Sequence, residues 1–129
     1  MEAIETRRRA LVLFAHGARD PQWRAPFEQL LQRTQAQLPA VQVRLAFLEF
    51  MAPDLNTAVR ELAQQDCGQI TLVPIFLGQG GHVRRDLPAL IAQLQRDYPR
   101  MAINMVPAVG EDAAVLDAMA HYCITALAP

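Results

Sequence analysis

Four short apolar runs alternate with longer amphipathic stretches along the chain, and this alternation limits the possible folds more than any other feature of the sequence. A strand that is buried on both faces of a parallel sheet reads as a nearly continuous apolar run. A surface helix instead repeats apolar residues every three to four positions. The observed order, βαβαβαβα, therefore predicts an α/β fold in which a four-stranded parallel sheet carries helices on both faces.

The bounds of the predicted elements follow from these runs and from capping signals. The strands are expected over residues 10–15, 41–48, 69–76 and 101–106, and the first and last helices over residues 24–37 and 111–127. The second helix is expected to open at Pro53-Asp54 and to close near Cys67-Gly68, with the glycine as its C-terminal cap. The third is expected to begin with Asp86 as its N-cap. The simplest closure is the doubly wound strand order 2-1-3-4 of a three-layer, flavodoxin-like domain.

Length and charge restrict the class of protein. The chain of 129 residues is interpreted as a single domain over residues 1–129, with a flexible tail over residues 1–9. A formal net charge of −1 provides no basic surface for nucleic acid. The apolar stretch meets His16 too early for a signal peptide or membrane span, so we expect a cytoplasmic protein without membrane contact. Cys67 and Cys123 lack metal-binding spacing and are expected to be buried structural thiols.

The chain contains no lysine and no serine, and this excludes several kinds of catalysis. Schiff-base enzymes, pyridoxal phosphate enzymes and P-loop NTPases each need a lysine, and the common hydrolase triad needs a serine nucleophile. The reactive side chains that remain are histidines, carboxylates, arginines and the two thiols.

Two of the 3 histidines follow strands that are neighbours in the predicted sheet. His16 follows the first strand and His82 the third, and open α/β sheets bind ligands beyond this switch point. A neutral imidazole, with a pKa of about 6.5, can bind a divalent metal ion or accept a proton. One histidine alone could be a capping or core residue, but the pair favours function. The positive end of a helix beginning at Asp86 is expected to disfavour protonation of His82.

Two side chains at the end of the second strand are further candidates. Glu49 would stand beside the end of the first strand, where it is either a metal-binding or proton-accepting carboxylate or a solvated loop acid. Met51 either packs on a flat apolar ligand or simply packs within the protein.

The loops around the two histidines carry cations and glycines. Arg19, Arg84 and Arg85 either pair with carboxylates on a substrate or remain surface arginines. The segment Gly78-Gln79-Gly80-Gly81 allows a ligand to approach the backbone closely, but it lacks the spacing and the lysine of a phosphate-binding loop.

Four segments, taken in this order and spacing, resemble the small class II chelatases of the CbiX/SirB type, which include sirohydrochlorin cobaltochelatases. They are HGARDP at 16–21, FLE at 47–49, VPIFL at 73–77 and GHVRRDLP at 81–88. The resemblance covers nearly the whole chain and implies a chelatase fold. Ala18 departs from the pattern, because many members carry serine at that position.

The resemblance implies an enzyme that inserts a divalent metal into sirohydrochlorin or a related tetrapyrrole without ATP, in cobalamin or siroheme synthesis. The metal would be a substrate, Co²⁺ or alternatively Fe²⁺ or Ni²⁺, and no cofactor would be permanently bound. His16 would accept protons and bind the metal, and His82 would be the second metal ligand. Met51 and the wall from Leu77 through Gly78, Gln79, Gly80 and Gly81 to His82 would contact the macrocycle.

Because small members are half the length of related two-domain chelatases, the resemblance also implies a homodimer with a shared cleft. A large flat macrocycle needs walls on both sides, which gives the same expectation. Two other interpretations remain open from the sequence. One is a metal or tetrapyrrole carrier without turnover, and the other is a flavodoxin-like nucleotide-binding module suggested by the fold alone.

Overall fold

The computed structural model describes residues 8–129, apart from the side chain of His82. Residues 1–7 lie outside the described part of the chain. Four strands and four helices alternate in it. They are β1 (Arg8–Ala15), α1 (Arg24–Gln37), β2 (Val41–Phe47), α2 (Leu55–Gln64), β3 (Cys67–Pro74), α3 (Gly81–Asp97), β4 (Ala102–Met105) and α4 (Ala113–Thr125). Two 3-10 turns, Pro21–Trp23 and Val109–Glu111, precede α1 and α4.

The strands form one parallel sheet in the order β2-β1-β3-β4, which confirms the predicted topology. Side chains of β1 alternate between two cores, because successive residues of a strand point to opposite faces of a sheet. Val12 and Phe14 pack under α2 and α3, whereas Leu13 and Ala15 pack under α1. The sheet therefore aligns the ends of three strands on a scaffold that is buried on both sides of β1.

Most of the predicted elements differ from the observed ones by one or more residues at an end, and β3 spans Cys67–Pro74 rather than residues 69–76. Strand β1 begins at Arg8, so Arg8 and Arg9 belong to the sheet and not to a flexible tail as predicted. The other residues of the predicted tail, 1–7, lie outside the described part of the chain. Helix α2 ends at Gln64, and the left-handed residue that follows it is Asp66, with φ of 60°, rather than Gly68, which lies inside β3. Aspartate tolerates this conformation because its short polar side chain can bond locally.

Helix α3 begins at Gly81 with Gly80 as its N-cap, so the prediction that Asp86 caps it was wrong. The error has a physical source, because Asp86 followed by Pro88 is typical of a helix N-terminus. In the structure Pro88 lies inside α3, and the helix extends beyond it toward the glycine segment. His82 is therefore the second residue of the helix rather than part of a loop in front of it.

Two glutamines make the same connection in two parts of the fold. The amide of Gln35 donates to the carbonyls of Leu38 and Val41, at 2.9 and 2.7 Å, and its oxygen accepts from the Val43 amide at 2.9 Å. Gln95 repeats this pattern between α3 and β4. Each glutamine thereby fixes a helix end to the start of the next strand.

The two cysteines differ in their burial. Cys67 is buried, and this burial raises the pKa of its thiol above the usual value. Cys123 lies on α4 and is exposed, so the prediction of two buried thiols was wrong for this residue.

None of the residues of α4 is buried. Among the described helices, none has the length and apolar composition that crossing a bilayer requires.

Candidate active site

His16 and Glu49 meet beyond the ends of β1 and β2. The strands are in register to the pair Ala15 and Phe47, and backbone bonds continue past them. The Leu48 amide donates to the Ala15 carbonyl at 2.9 Å, and the Glu49 amide donates to the His16 carbonyl at 3.1 Å. His16 Nε2 then lies 3.2 Å from Glu49 Oε1. The sheet register itself therefore positions the pair that the sequence placed at neighbouring strand ends.

Gly17 is what allows the two segments to approach so closely. Its φ is 90°, a conformation that residues with a Cβ rarely adopt. A Cβ placed on it would lie 1.9 Å from the carbonyl oxygen of Glu49. The glycine after His16 is thus required by its conformation and by its contact with the residue that carries the carboxylate.

The imidazole and the carboxylate are both open to solvent and border a cavity. The side chain of His16 is 50% exposed and that of Glu49 is 47% exposed, so ligands can reach both. The His16 ring also meets the ring of Phe76 edge-on, with 6.3 Å between centroids. A cavity of about 240 Å³ lies beside the pair. Its other lining residues are Leu48, Val83, Asp86, Leu87 and Leu90.

A second depression lies beside the turn that follows Glu49. Phe50 has a φ of 67°, which is strained for a bulky side chain, and the residue is 56% exposed. The guanidinium carbon of Arg19 lies 4.9 Å from the centroid of this ring. Met51 and Arg19 line the depression, and neither borders the cavity at His16. The structure therefore brings Arg19 and Met51 together, but in a depression separate from the cavity at His16.

The glycine segment connects β3 to α3, and none of the residues 78–81 lines the cavity at His16. A Cβ added at Gly78, Gly80 or Gly81 would have no neighbour within 4 Å, while Gln79 is half-buried. Leu77 is 63% exposed. Its backbone packs tightly against Gly110, where a Cβ would lie 1.9 Å from the Leu77 carbonyl oxygen. The segment thus has a fixed starting point and an accessible backbone.

The remaining predicted residues belong to the first turns of α3. Arg84 and Arg85 are exposed, and Arg85 Nε donates to the Gly81 carbonyl at 3.2 Å. The backbone of His82 lies in this helix, but its side chain is outside the described part of the structure, so its place as a second ligand stays a prediction. Among the described side chains, no group of three or more histidines, cysteines and acids could hold a metal ion.

Sequence reasoning missed two side chains of this region. Asp86 borders the cavity with His16 and Glu49, although the sequence assigned it to helix capping. The helical spacing of Val83, Asp86, Leu87 and Leu90 could have shown that these residues share one face. Phe50 left no such signal, because a positive φ at an aromatic residue is not encoded in any local pattern.

Comparison with known proteins identifies relatives over most of the chain. The model of the CbiX family matches residues 10–125. A sirohydrochlorin cobaltochelatase of Methanopyrus kandleri is 32% identical over 82 residues, which are 64% of this chain and 57% of that protein. A sirohydrochlorin ferrochelatase of Bacillus subtilis is 25% identical over 114 residues, 88% of this chain and 44% of that protein. The chain thus spans about half the length of these two relatives.

Solved structures show the same fold. A cobalamin biosynthesis CbiX protein from Marinobacter aquaeolei superposes with a TM-score of 0.82 at 29% identity, covering 92% of this chain and 97% of that one. The sirohydrochlorin chelatase SirB of Bacillus subtilis subspecies spizizenii, in complex with cobalt, has a TM-score of 0.77 at 26% identity. That likeness covers 91% of this chain and 50% of the other.

Proposed function

The chain belongs to the CbiX family, and we propose that it inserts a divalent metal ion into sirohydrochlorin or a related tetrapyrrole without using ATP. The observation that carries this proposal is the contact of 3.2 Å between His16 Nε2 and Glu49 Oε1, at the open end of the sheet and beside a cavity. Relatives named sirohydrochlorin cobaltochelatase and ferrochelatase support the choice of substrate. The product would enter cobalamin or siroheme synthesis.

The pair supplies the two functions that metal insertion needs. A divalent ion replaces two pyrrole N–H protons, so the site must present the ion and remove both protons. When His16 donates its Nε2 proton to Glu49, the lone pair lies on Nδ1, and the carboxylate holds the imidazole in this tautomer and orientation. Through Nδ1, His16 binds the entering ion and, after the ion has moved to the macrocycle, accepts one of the pyrrole protons, while Glu49 accepts the other. His82 is the proposed second metal ligand.

Cobalt is the proposed metal, with iron and nickel as alternatives. Imidazole and carboxylate ligands suit all three ions, and availability often decides among them. Two relatives with different metals in their names, cobalt and iron, support the same range. The metal enters as a substrate and leaves within the product, so no permanently bound cofactor is proposed.

The macrocycle is proposed to lie across the open end of the sheet. Its apolar face would rest on Met51 and on the backbone from Leu77 to Gly81. Arg19, Arg84 and Arg85 would pair with carboxylates on its rim. The cavity of about 240 Å³ beside His16 is smaller than ordinary ligand pockets, whose volumes are about 300–1,000 Å³. A four-ring macrocycle needs a site that is larger than this cavity. We therefore propose that two copies share the substrate.

The test is to mix the purified protein with sirohydrochlorin and Co²⁺, Fe²⁺ or Ni²⁺ under anaerobic conditions and to follow the absorbance of the macrocycle. We expect catalytic amounts of protein to convert many equivalents of substrate faster than the metal does alone. A change that stops at one equivalent per protein would contradict turnover and support the carrier interpretation. An unchanged rate with no binding would contradict both.

A further inference from the structure

Phe50 presents an aromatic side chain to solvent in the turn that follows β2. Its φ of 67° is strained for a bulky residue, and more than half of the residue is exposed. Both features are unfavourable for folding, because the backbone is strained and apolar surface stays in water. Strained residues of this kind are concentrated at sites that hold ligands. The ring is therefore a candidate for contact with a ligand.

The backbone on both sides of Phe50 is held in place. Before it, the Glu49 amide donates to the His16 carbonyl at 3.1 Å. After it, Arg24 Nη1 donates to the Ala52 carbonyl at 2.5 Å. The ring is therefore presented from a fixed position, and less conformational freedom is lost when a ligand binds to it.

A cation accompanies the ring. The guanidinium carbon of Arg19 lies 4.9 Å from the centroid of the Phe50 ring, a distance at which the ring attracts a cation. Arg19 is itself exposed, so its charge remains open to a ligand. The pair thus offers an apolar aromatic surface next to a positive charge. A flat conjugated ring system with carboxylates on its edge matches both.

The turn forms a wall between two depressions. Leu48 and Glu49 line the cavity at His16, whereas Phe50 and Met51 line the second depression, which has a volume of about 270 Å³. The Cα atoms of consecutive residues are about 3.8 Å apart. A four-ring macrocycle with its centre at the contact between His16 and Glu49 would therefore reach the second depression with one of its pyrrole rings.

We propose that Phe50 stacks on one pyrrole ring of the tetrapyrrole, and that Arg19 pairs with a carboxylate at the edge of that ring. The inference rests on the proposed function for the identity of the substrate. It deepens that function by giving macrocycle binding to a residue that neither moves a proton nor binds the metal. Stacked rings attract each other beyond the apolar area that they bury, so the contact adds to affinity.

The first test is the dissociation constant of metal-free sirohydrochlorin, measured by equilibrium dialysis and read from the absorbance of the macrocycle. Phe50→Ala is expected to raise this constant roughly tenfold, because it removes a stacked ring and its buried area. Phe50→Trp keeps a flat ring and is expected to retain most of the affinity. A Phe50→Ala protein that binds as tightly as Phe50→Trp would overturn the proposal.

The matched control is Trp23→Ala. Trp23 is also an exposed aromatic residue, but it lines neither depression. We expect its variant to bind the macrocycle within about twofold of wild type. An equal loss in Trp23→Ala and Phe50→Ala would overturn the specific role of Phe50. Light scattering is expected to give every variant the mass of the wild type, and a changed mass in Phe50→Ala would place the ring at a contact between copies instead.

Phe50→Gly separates the ring from its strained backbone. Glycine adopts a φ of 67° without strain, whereas alanine does not. We therefore expect Phe50→Gly to unfold at a higher urea concentration than Phe50→Ala, yet to bind the macrocycle equally weakly. A glycine variant with wild-type affinity would show that the loss in Phe50→Ala comes from the backbone, and it would overturn stacking.

Turnover separates this inference from the proposed function. Phe50→Ala is expected to lower kcat/KM mainly by raising the KM for sirohydrochlorin, because the stacked contact exists before the metal enters. His16→Ala is expected to lower kcat instead. A wild type that binds the macrocycle without inserting metal would contradict the proposed function, while the dissociation constants would still decide the role of Phe50. A wild type that does not bind the macrocycle would overturn both.

Discussion

At the scale of single residues, Gly17 determines whether His16 and Glu49 can meet. We expect Gly17→Ala to destabilise the protein by roughly 2 to 3 kcal/mol, because the new Cβ would be strained at a φ of 90° and would collide with the Glu49 carbonyl. Urea unfolding measures this loss. Gly78→Ala is the matched control, since nothing lies within 4 Å of its Cβ, and its effect is expected within about 0.5 kcal/mol. Equal losses in the two variants would contradict the role given to Gly17.

Asp54 gives α2 a pH-dependent start. The backbone hydrogen bond from Thr57, together with a bond from its side chain, lowers the pKa of this carboxyl below its usual value. A lowered pKa in the folded state means that the stabilisation is present above the unfolded pKa, about 3.9, and is lost as the pH falls through the folded pKa. We expect Asp54→Asn, which caps without titrating, to lose less stability than wild type between pH 5 and pH 2, in urea titrations. Parallel losses would contradict this.

The residue scale also shows the limits of sequence reasoning. His16 and Glu49 could be predicted because strand ends are visible in the apolar pattern and because parallel neighbours end together. The strained turn at Phe50 could not be predicted, since no local pattern encodes a positive φ at an aromatic residue. Asp86 was misassigned because the same residue suits a helix start and a helix face.

At the scale of elements, Gln35 and Gln95 join a helix to the following strand in the same way. Gln35→Met keeps the approximate volume but leaves the Val43 amide and two carbonyls without this partner. We expect a loss of about 2 kcal/mol in the free energy of unfolding. Gln37→Met, on the exposed side of α1, is the matched control and is expected to change it by less than about 0.5 kcal/mol. A small effect at Gln35 would show that water replaces its bonds.

Helices α1 and α4 show what a local sequence pattern can and cannot predict about a helix. The bounds of α1 agree with the expectation over residues 24–37, because its apolar stripe and the proline after it are both local signals. Helix α4 was also expected, but its sequence does not say which surface it packs against. Its apolar residues lie around most of its circumference, so its periodicity gives no single direction for packing.

At the scale of the whole molecule, the topology could be predicted but the shape of the site could not. The strand order 2-1-3-4 follows from short connections and right-handed crossovers, and the sequence could predict it for that reason. The size of the cavity and the exposure of α4 depend on how surfaces meet in three dimensions, which the sequence does not display.

The most direct test of this account is the turnover number for cobalt insertion into sirohydrochlorin by His16→Ala, with His121→Ala as the control histidine. His121 is an exposed residue of α4 and does not line the cavity at His16, so its variant is expected to turn over at about the wild-type rate. Loss of a general acid–base group costs roughly 100-fold or more, and we expect His16→Ala to lose at least that factor while still folding. A His16→Ala protein that inserts cobalt as fast as His121→Ala would contradict the account.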